Sequence, residues 1–212
     1  KPSRRGRSER FVASTFLSSM GHQFDGLKID GDRVWMRPPR ANDYDAWLQV
    51  RSDSRAFLEP WEPTWPSDVL TRASFKRRLK RYARDVRDDY GYSFFVFRRE
   101  DDELVGGVNL SHVHRGVSQS CSMGYWMGQR YARQGLMSDA VKAAVSFSFD
   151  DLRLHRIEAA CVPDNIPSRD LLRKVGFQEE GYARNYLRIN GKWQDHLLFA
   201  WLSTDTRPED QT

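Results

Sequence analysis

Cysteine is nearly absent: the 212 residues hold two, Cys121 and Cys161. Two cysteines cannot build a disulfide framework, and neither stands at a spacing from histidine that a metal would need. Both lie in apolar, strand-like runs and read as reduced core residues of a cytoplasmic protein. Long apolar runs are missing too. None approaches the roughly 20 residues of a membrane-spanning helix, so no membrane partner is expected. Residues 11–20 follow a basic stretch, as the apolar part of a signal peptide does. Ser14, Thr15, Ser18 and Ser19 interrupt them and no small-residue cleavage site follows, which rejects that reading. The first residue is Lys1 instead of Met, as in a fragment or a processed chain.

Excess charge is small: 34 Lys plus Arg against 29 Asp plus Glu, a net +5. Lys1, Arg4, Arg5, Arg7 and Arg10 oppose only Glu9, so the first ten residues can carry most of it. The remainder is then close to neutral. That argues against a dedicated nucleic-acid binder and leaves a basic tail able to associate with an anionic surface such as ribosomal RNA.

What is present is apolar patterning at helix and strand periods, over a length that suits one domain. Residues 1–30 are polar and form a basic N-terminal arm. Residues 33–37 alternate as a strand, and Asn42 or Asp43 caps a helix through Trp47 and Val50. Residues 57–66 hold three prolines and two tryptophans and read as a stiff loop. A charged helix spans 69–87, with Leu70, Phe75, Leu79, Tyr82, Ala83 and Val86 on its buried stripe. Strands follow at 92–98, 104–110 and 118–127, a helix at 136–149, a strand at 156–162 and a helix at 167–175 stopped by Gly176. Strands at 177–189 and 193–202 are joined at Asn190-Gly191, a hairpin signal. This order predicts an α/β domain over 31–204, with a tail over 205–212. Its mixed, twisted sheet has six or seven strands and helices on both faces.

The most informative stretch runs from Met127 through Gly128, Gln129, Arg130, Tyr131, Ala132, Arg133, Gln134 and Gly135 into Leu136, Met137 and Ser138. A strand ends, a loop turns and a long helix starts. A helix start exposes unpaired N–H groups and the positive end of the dipole, which suits a phosphate. Gly135 lets backbone approach that phosphate closely, and Arg130 and Arg133 add positive charge. One glycine serves an ordinary strand–helix turn equally well. Downstream, Asn165 can cap a helix, Pro167 suits its first turn and Gly176 ends it.

With Ala132-Arg133-Gln134-Gly135-Leu136-Met137 followed by Asn165, Ser168 and Gly176-Phe177, the chain resembles the GCN5-related N-acetyltransferase (GNAT) superfamily. Gly135 matches the pyrophosphate loop, while Ala132 and Met137 depart from the superfamily's Gln/Arg and small residue. Residues 57–63 (FLEPWEP), His155-Arg156-Ile157, Glu180-Gly181-Tyr182-Ala183 and Asp195-His196 extend the resemblance. They resemble the RimJ type of ribosomal-protein-alanine N-acetyltransferase, over residues 33–202. The resemblance implies acetyl-CoA as co-substrate and no metal. It also implies a protein N-terminus as acceptor, a ribosomal protein, in the cytoplasm. Carried onto this chain, Arg133, Gln134, Gly135, Met137, Ser138 and Asn165 bind the cofactor. Backbone of Tyr125, Trp126 and Met127 faces the pantetheine arm and the thioester carbonyl, in a gap between this strand and the one bearing Glu158.

Three tasks remain: a proton must leave the amine, the carbonyl must be polarised and the leaving thiolate must be neutralised. The Tyr that many superfamily members place four residues before the Gly of Gly-Phe is Leu172 here, so Ser168 is the candidate acid. Glu158 and Glu62 are the candidates for base or amine-binding group, although a strand Glu is usually ion-paired, here with Arg156 or Arg188. His112 and His114 are expected to be exposed. Two other readings stay open, a small-molecule amine acetyltransferase and a non-catalytic acetyl-CoA-binding protein.

Overall fold

The computed structural model describes residues 26–206. The basic arm up to residue 25, the rejected signal segment and most of the tail lie outside the described residues. Among the described residues the sheet has eight strands, one more than the upper expectation. They are β1 (Ile29–Asp30), β2 (Val34–Arg37), β3 (Tyr92–Arg98), β4 (Leu104–His114), β5 (Ser120–Met127), β6 (Arg156–Cys161), β7 (Gln178–Ile189) and β8 (Lys192–Leu202). Their spatial order is β1-β2-β3-β4-β5-β6-β8-β7. The extra strand is β1, two residues long, which is too short to show alternation and falls where the arm was expected. Among the described residues five α-helices accompany the sheet: α1 (Tyr44–Asp53), α2 (Arg55–Leu58), α3 (Arg72–Arg87), α4 (Leu136–Ser146) and α5 (Ile166–Val175).

Strand β3 reads Tyr-Ser-Phe-Phe-Val-Phe-Arg and is buried on both faces up to Phe97, because helices cover both sides of it. On one side Phe75 of α3 packs with Trp47 of α1 and with Phe95. On the other, α4 and α5 cover the main core, where Val141, Ala144, Leu172 and Val175 are at most 1% exposed. Cys121 and Cys161 are free and buried, and burial pushes the Cys121 thiol up to about 12, so it stays protonated.

Local chemistry moves several expected boundaries. Helix α3 starts at Arg72 because the Thr71 hydroxyl accepts the Ser74 N–H at 3.2 Å, and Val69 and Thr71 are held in turns before it. Beyond Ser146 the α4 backbone widens into a π-type turn (Phe147–Asp151), where the Ser148 hydroxyl donates to the Ala144 carbonyl at 2.7 Å. The stiff loop begins with the end of α2 and continues in a 3-10 turn (Glu59–Trp61) with Pro60 in its first positions. Gly176 has φ +120 and lies under Trp201, whose ring atoms would sit 2.9 Å from any Cβ. Phe177 meets the same ring edge-on at 5.5 Å, so the Gly-Phe pair is a packing device.

Asp139, in the first turn of α4, ties the sheet edge to that helix. Its carboxylate accepts N–H groups of Asp32 (3.2 Å), Arg33 (2.7 Å) and Val34 (3.1 Å) in the β1–β2 turn. Asp139→Ala removes the acceptor for all three. We expect a loss of about 1–3 kcal/mol in urea unfolding, with the denaturant slope unchanged. A loss below about 0.5 kcal/mol, the range of an ordinary surface substitution, would show that the turn is held by other means.

Candidate active site

Strands β5 and β6 run parallel and pair only at Ser120↔Arg156, Cys121↔Ile157 and Ser122↔Glu158. Beyond that point β5 stays on β4 through Met127↔Gly106, while β6 stays on β8 through Cys161↔Leu197. The sheet therefore gapes, with Met123–Met127 of β5 along one lip, as the sequence led us to expect. Strand alternation sorts the side chains about this gap. Tyr125 points with Cys121 and Met123 toward α5, while Trp126 points with Ser122 and Gly124 to the opposite face, as does Glu158.

At the far end of β5 the chain turns into α4. Gly128 donates to the Val105 carbonyl at 2.8 Å, and Gln129 donates to the buried Ser54 hydroxyl at 2.9 Å, which seats the loop on the end of α1. Arg133 (φ +62) and Gly135 (φ +80) both adopt left-handed backbone. Among the described residues, the N–H groups of Arg133 through Ser138 have no acceptor, so a row of donors precedes and opens α4. The side chains play different parts. Met137 is buried with its methyl against Gly106, Gln134 donates to the Arg130 carbonyl at 2.9 Å, and Arg133 is exposed.

The structure adds a cation that spacing could not reveal. Arg33, about a hundred residues upstream, donates to the Gln134 carbonyl at 2.6 Å, and its guanidinium lies 3.3 Å from where a Gly135 Cβ would stand. Free N–H groups, a bare Gly135 and an adjoining guanidinium fit the pyrophosphate of a nucleotide thioester.

Across the gap, Asn165 caps α5, its Oδ1 accepting the Ser168 N–H at 3.2 Å. The Ser168 hydroxyl is 2.8 Å from the Tyr125 hydroxyl. Burial holds the Tyr125 phenol far above its ordinary value, with the bond to Ser168 pulling the other way. Burial likewise raises the Cys161 thiol, and Ser168 again opposes it, so Tyr125, Ser168 and Cys161 form one cluster. Leu172, where a Tyr acid would stand, is 1% exposed in the core.

The other face carries the carboxylates. Glu62 takes a bidentate pair from Arg51 (2.7 and 2.6 Å) and the Trp65 indole N–H (2.8 Å). Arg51 is buried between the rings of Trp65 (4.3 Å) and Trp126 (5.0 Å). Glu158 is exposed, stands at the closed end of the gap and pairs with Arg156 at 2.8 Å. Asp195 pins a bulge in β7, accepting the Asn185 N–H at 2.7 Å and the Tyr182 hydroxyl. His112 and His114 are exposed. Among the described residues no His, Cys, Asp and Glu side chains group as a metal would need, and no helix is long and apolar enough to cross a membrane.

A mixed sheet that splits between parallel strands, beside a glycine-led helix start, is the architecture of an acyl-transfer enzyme. Residues 33–178 match a family model described as an acetyltransferase (GNAT) domain. The [ribosomal protein uS5]-alanine N-acetyltransferase of Escherichia coli is 34% identical over 184 residues, 86% of this chain and 94% of that one. A probable N-acetyltransferase of Bacillus subtilis, YjcK, is 34% identical over 177 residues, 84% of this chain and 98% of that one. The solved structure of Mycobacterium smegmatis RimJ in complex with CoA-disulfide superposes with a TM-score of 0.81 at 31% identity, covering 85% and 90%. The chain belongs to the GNAT acetyltransferase family, and is an N-acetyltransferase that uses acetyl-CoA.

Two tests follow. In Gly135→Ala a Cβ is forced at φ +80, at a cost of about 1–2 kcal/mol, and it crowds the Arg33 guanidinium. Calorimetry with coenzyme A should then show about tenfold weaker binding in a folded protein, and unchanged affinity would remove the loop from the cofactor site. The second concerns Tyr125, whose folded-state pKa is raised. Its protonated phenol contributes stability fully present below about pH 10, lost as pH rises through the folded value. Urea unfolding at pH 8 and again above about pH 10 should show a smaller decline for Tyr125→Phe than for the parent.

Proposed function

We propose that this enzyme acetylates the free N-terminal amine of a protein, with an alanine-led ribosomal protein as acceptor. The observation that carries the reading is the two-sided gap between β5 and β6. Hydroxyl groups meet on one face, and an aromatic wall with a fixed carboxylate stands on the other. Two segments join near that second face. The Asn190 N–H of the β7–β8 hairpin bonds the Glu62 carbonyl at 2.8 Å, and Trp61 and Trp193 are exposed on the joined segments. Exposed aromatic groups beside an opening suit an extended peptide end. A polyamine pocket would need carboxylates free of partners, and Glu62 is already bonded by Arg51. The 34% identity with a uS5-alanine acetyltransferase supports the same acceptor class.

Acetyl-CoA supplies the acetyl group as a thioester. Arg33 and the N–H groups from Arg133 to Ser138 hold its pyrophosphate, and Asn165 lines the way in. Free backbone of Tyr125 and Met127 along the open lip polarises the carbonyl, whereas the Trp126 backbone, also expected there, is turned to Gly107 of β4. As nitrogen bonds the acetyl carbon and the carbon–sulfur bond breaks, the Ser168 hydroxyl gives its proton to the departing sulfur. Tyr125 passes its own proton to Ser168 as this happens and regains one from water, so no alkoxide remains and the pair offsets the missing Tyr at Leu172, which counts against the non-catalytic reading. An α-amine titrates near ~8, so its neutral fraction suffices at pH 7 and the released proton can leave by water to Glu158. Glu62 acts as a positioning residue, holding Arg51 and the loop beneath Trp126.

The test is intact-mass detection of acetyl transfer to peptides differing in their first residue, an alanine-led uS5 terminus among them. We expect transfer to alanine-led peptides and none to spermidine. The reverse would favour the small-molecule reading, and no transfer to any amine would favour a non-catalytic binder. In Ser168→Ala the rate constant at saturating acetyl-CoA should fall by on the order of 10². A rate within about threefold of the parent would reject the acid role.

A further inference from the structure

We propose that the outward face of α3 is a docking surface for the phosphate backbone of structured RNA. Eight of its 16 residues are Arg or Lys and one is acidic, Asp85, so this helix alone carries more positive charge than the whole chain's net +5. The near-neutral remainder of the sequence therefore hides a polarised surface. Helical geometry collects the exposed cations into one row. Lys76, Lys80, Arg84 and Arg87 follow at spacings of four and three, with Arg77 and Arg81 beside them, over about 16 Å of axis. Ser74, Arg77, Arg78, Lys80, Arg81 and Arg84 line a shallow groove of about 450 Å³.

Some of this charge is engaged. Arg77 pairs with Asp68, Arg84 with Asp85 at 3.9 Å, Arg87 with Asp88 at 2.9 Å and Arg72 with Asp45 at 2.9 Å. These carboxylates are near the ends or the flank, and exposed pairs of this kind exchange readily for a phosphate. Among the described residues Lys76, Lys80 and Arg81 have no carboxylate partner. The exposed residues of the helix otherwise include only Ala73 and Ala83, because Phe75, Leu79 and Val86 face inward. That decides the class of partner. A protein interface needs apolar or aromatic anchors, and a membrane-binding helix needs an exposed apolar face. A polyphosphate needs only charge, and the guanidinium fork suits it. Helix α3 also packs on the Trp126 face of the sheet, the acceptor side, so RNA laid along it would lie on the side from which the acceptor enters. The phosphate chemistry stands on the helix alone; choosing RNA over DNA rests on the ribosomal acceptor proposed above.

The experiment is fluorescence anisotropy of a labelled RNA hairpin with the full chain at several salt concentrations. The helix triple variant Lys80→Ala, Arg81→Ala, Arg84→Ala is compared with an arm triple variant, Arg4→Ala, Arg5→Ala, Arg7→Ala. The helix triple should bind at least about tenfold more weakly and lose about three from the slope of log affinity against log salt. Acetylation of a short free peptide should stay within about twofold of the parent, which reports a folded enzyme and separates this proposal from the acceptor reading. RNA affinity and salt slope unchanged in the helix triple would overturn the proposal, as would loss confined to the arm triple. Polyglutamate or anionic vesicles binding as tightly as RNA at equal salt would also overturn it, in favour of an acidic protein or a lipid surface.

Discussion

Everything distinctive in this molecule depends on the parallel pairing of β5 and β6 stopping after three residues. Each strand is satisfied on its other side, β5 by the long β4 and β6 by β8 along its whole length. Neighbours that twist away from each other can part while stranding only the one row of backbone groups that each turns to the gap. The freed row lines a gap that a peptide-like ligand can fill as an added strand. A fully zipped sheet would be more stable and would have no place for a substrate.

Strand alternation then divides the labour. Odd positions of β5 put the Tyr125 hydroxyl beside Ser168, and even positions put Trp126 beside Arg51. The donor of the acetyl group and its acceptor can be handled by separate side chains on opposite faces, meeting only at the backbone between them. The acceptor face is stiffened by the Glu62–Arg51–Trp65 arrangement. Here a buried guanidinium is matched by both carboxylate oxygens and flanked by two rings, so that neither partner can be removed without leaving a costly unpaired charge.

Much of this was legible in the sequence. The hydrophobic periods located all but one strand, and Gly135 and Asn165 marked both helix starts at the gap. What was hidden was hidden for physical reasons. β1 is too short to carry a period. Arg33 reaches the phosphate loop through a fold contact across about a hundred residues. The Tyr125–Ser168 bond joins a strand to a helix 43 positions later. Ser148 widened a helix end by bonding the carbonyl four residues back. The arm stands out in the sequence as the basic element because five of its first ten residues are Lys or Arg against one Glu, whereas the charges of α3 align only once the helix forms.

The Asp139 tether has a thermodynamic corollary. The turn it holds carries Arg33, and Arg33 lies over the loop whose free N–H groups await an anion. An anion that engaged the guanidinium would be linked to the same turn, so occupancy of the loop and closure of the β1–β2 edge share one free energy. Amide hydrogens of residues 32–34, far from the reacting carbon, would then exchange more slowly in the liganded enzyme, and the edge of the sheet would report on the state of its centre.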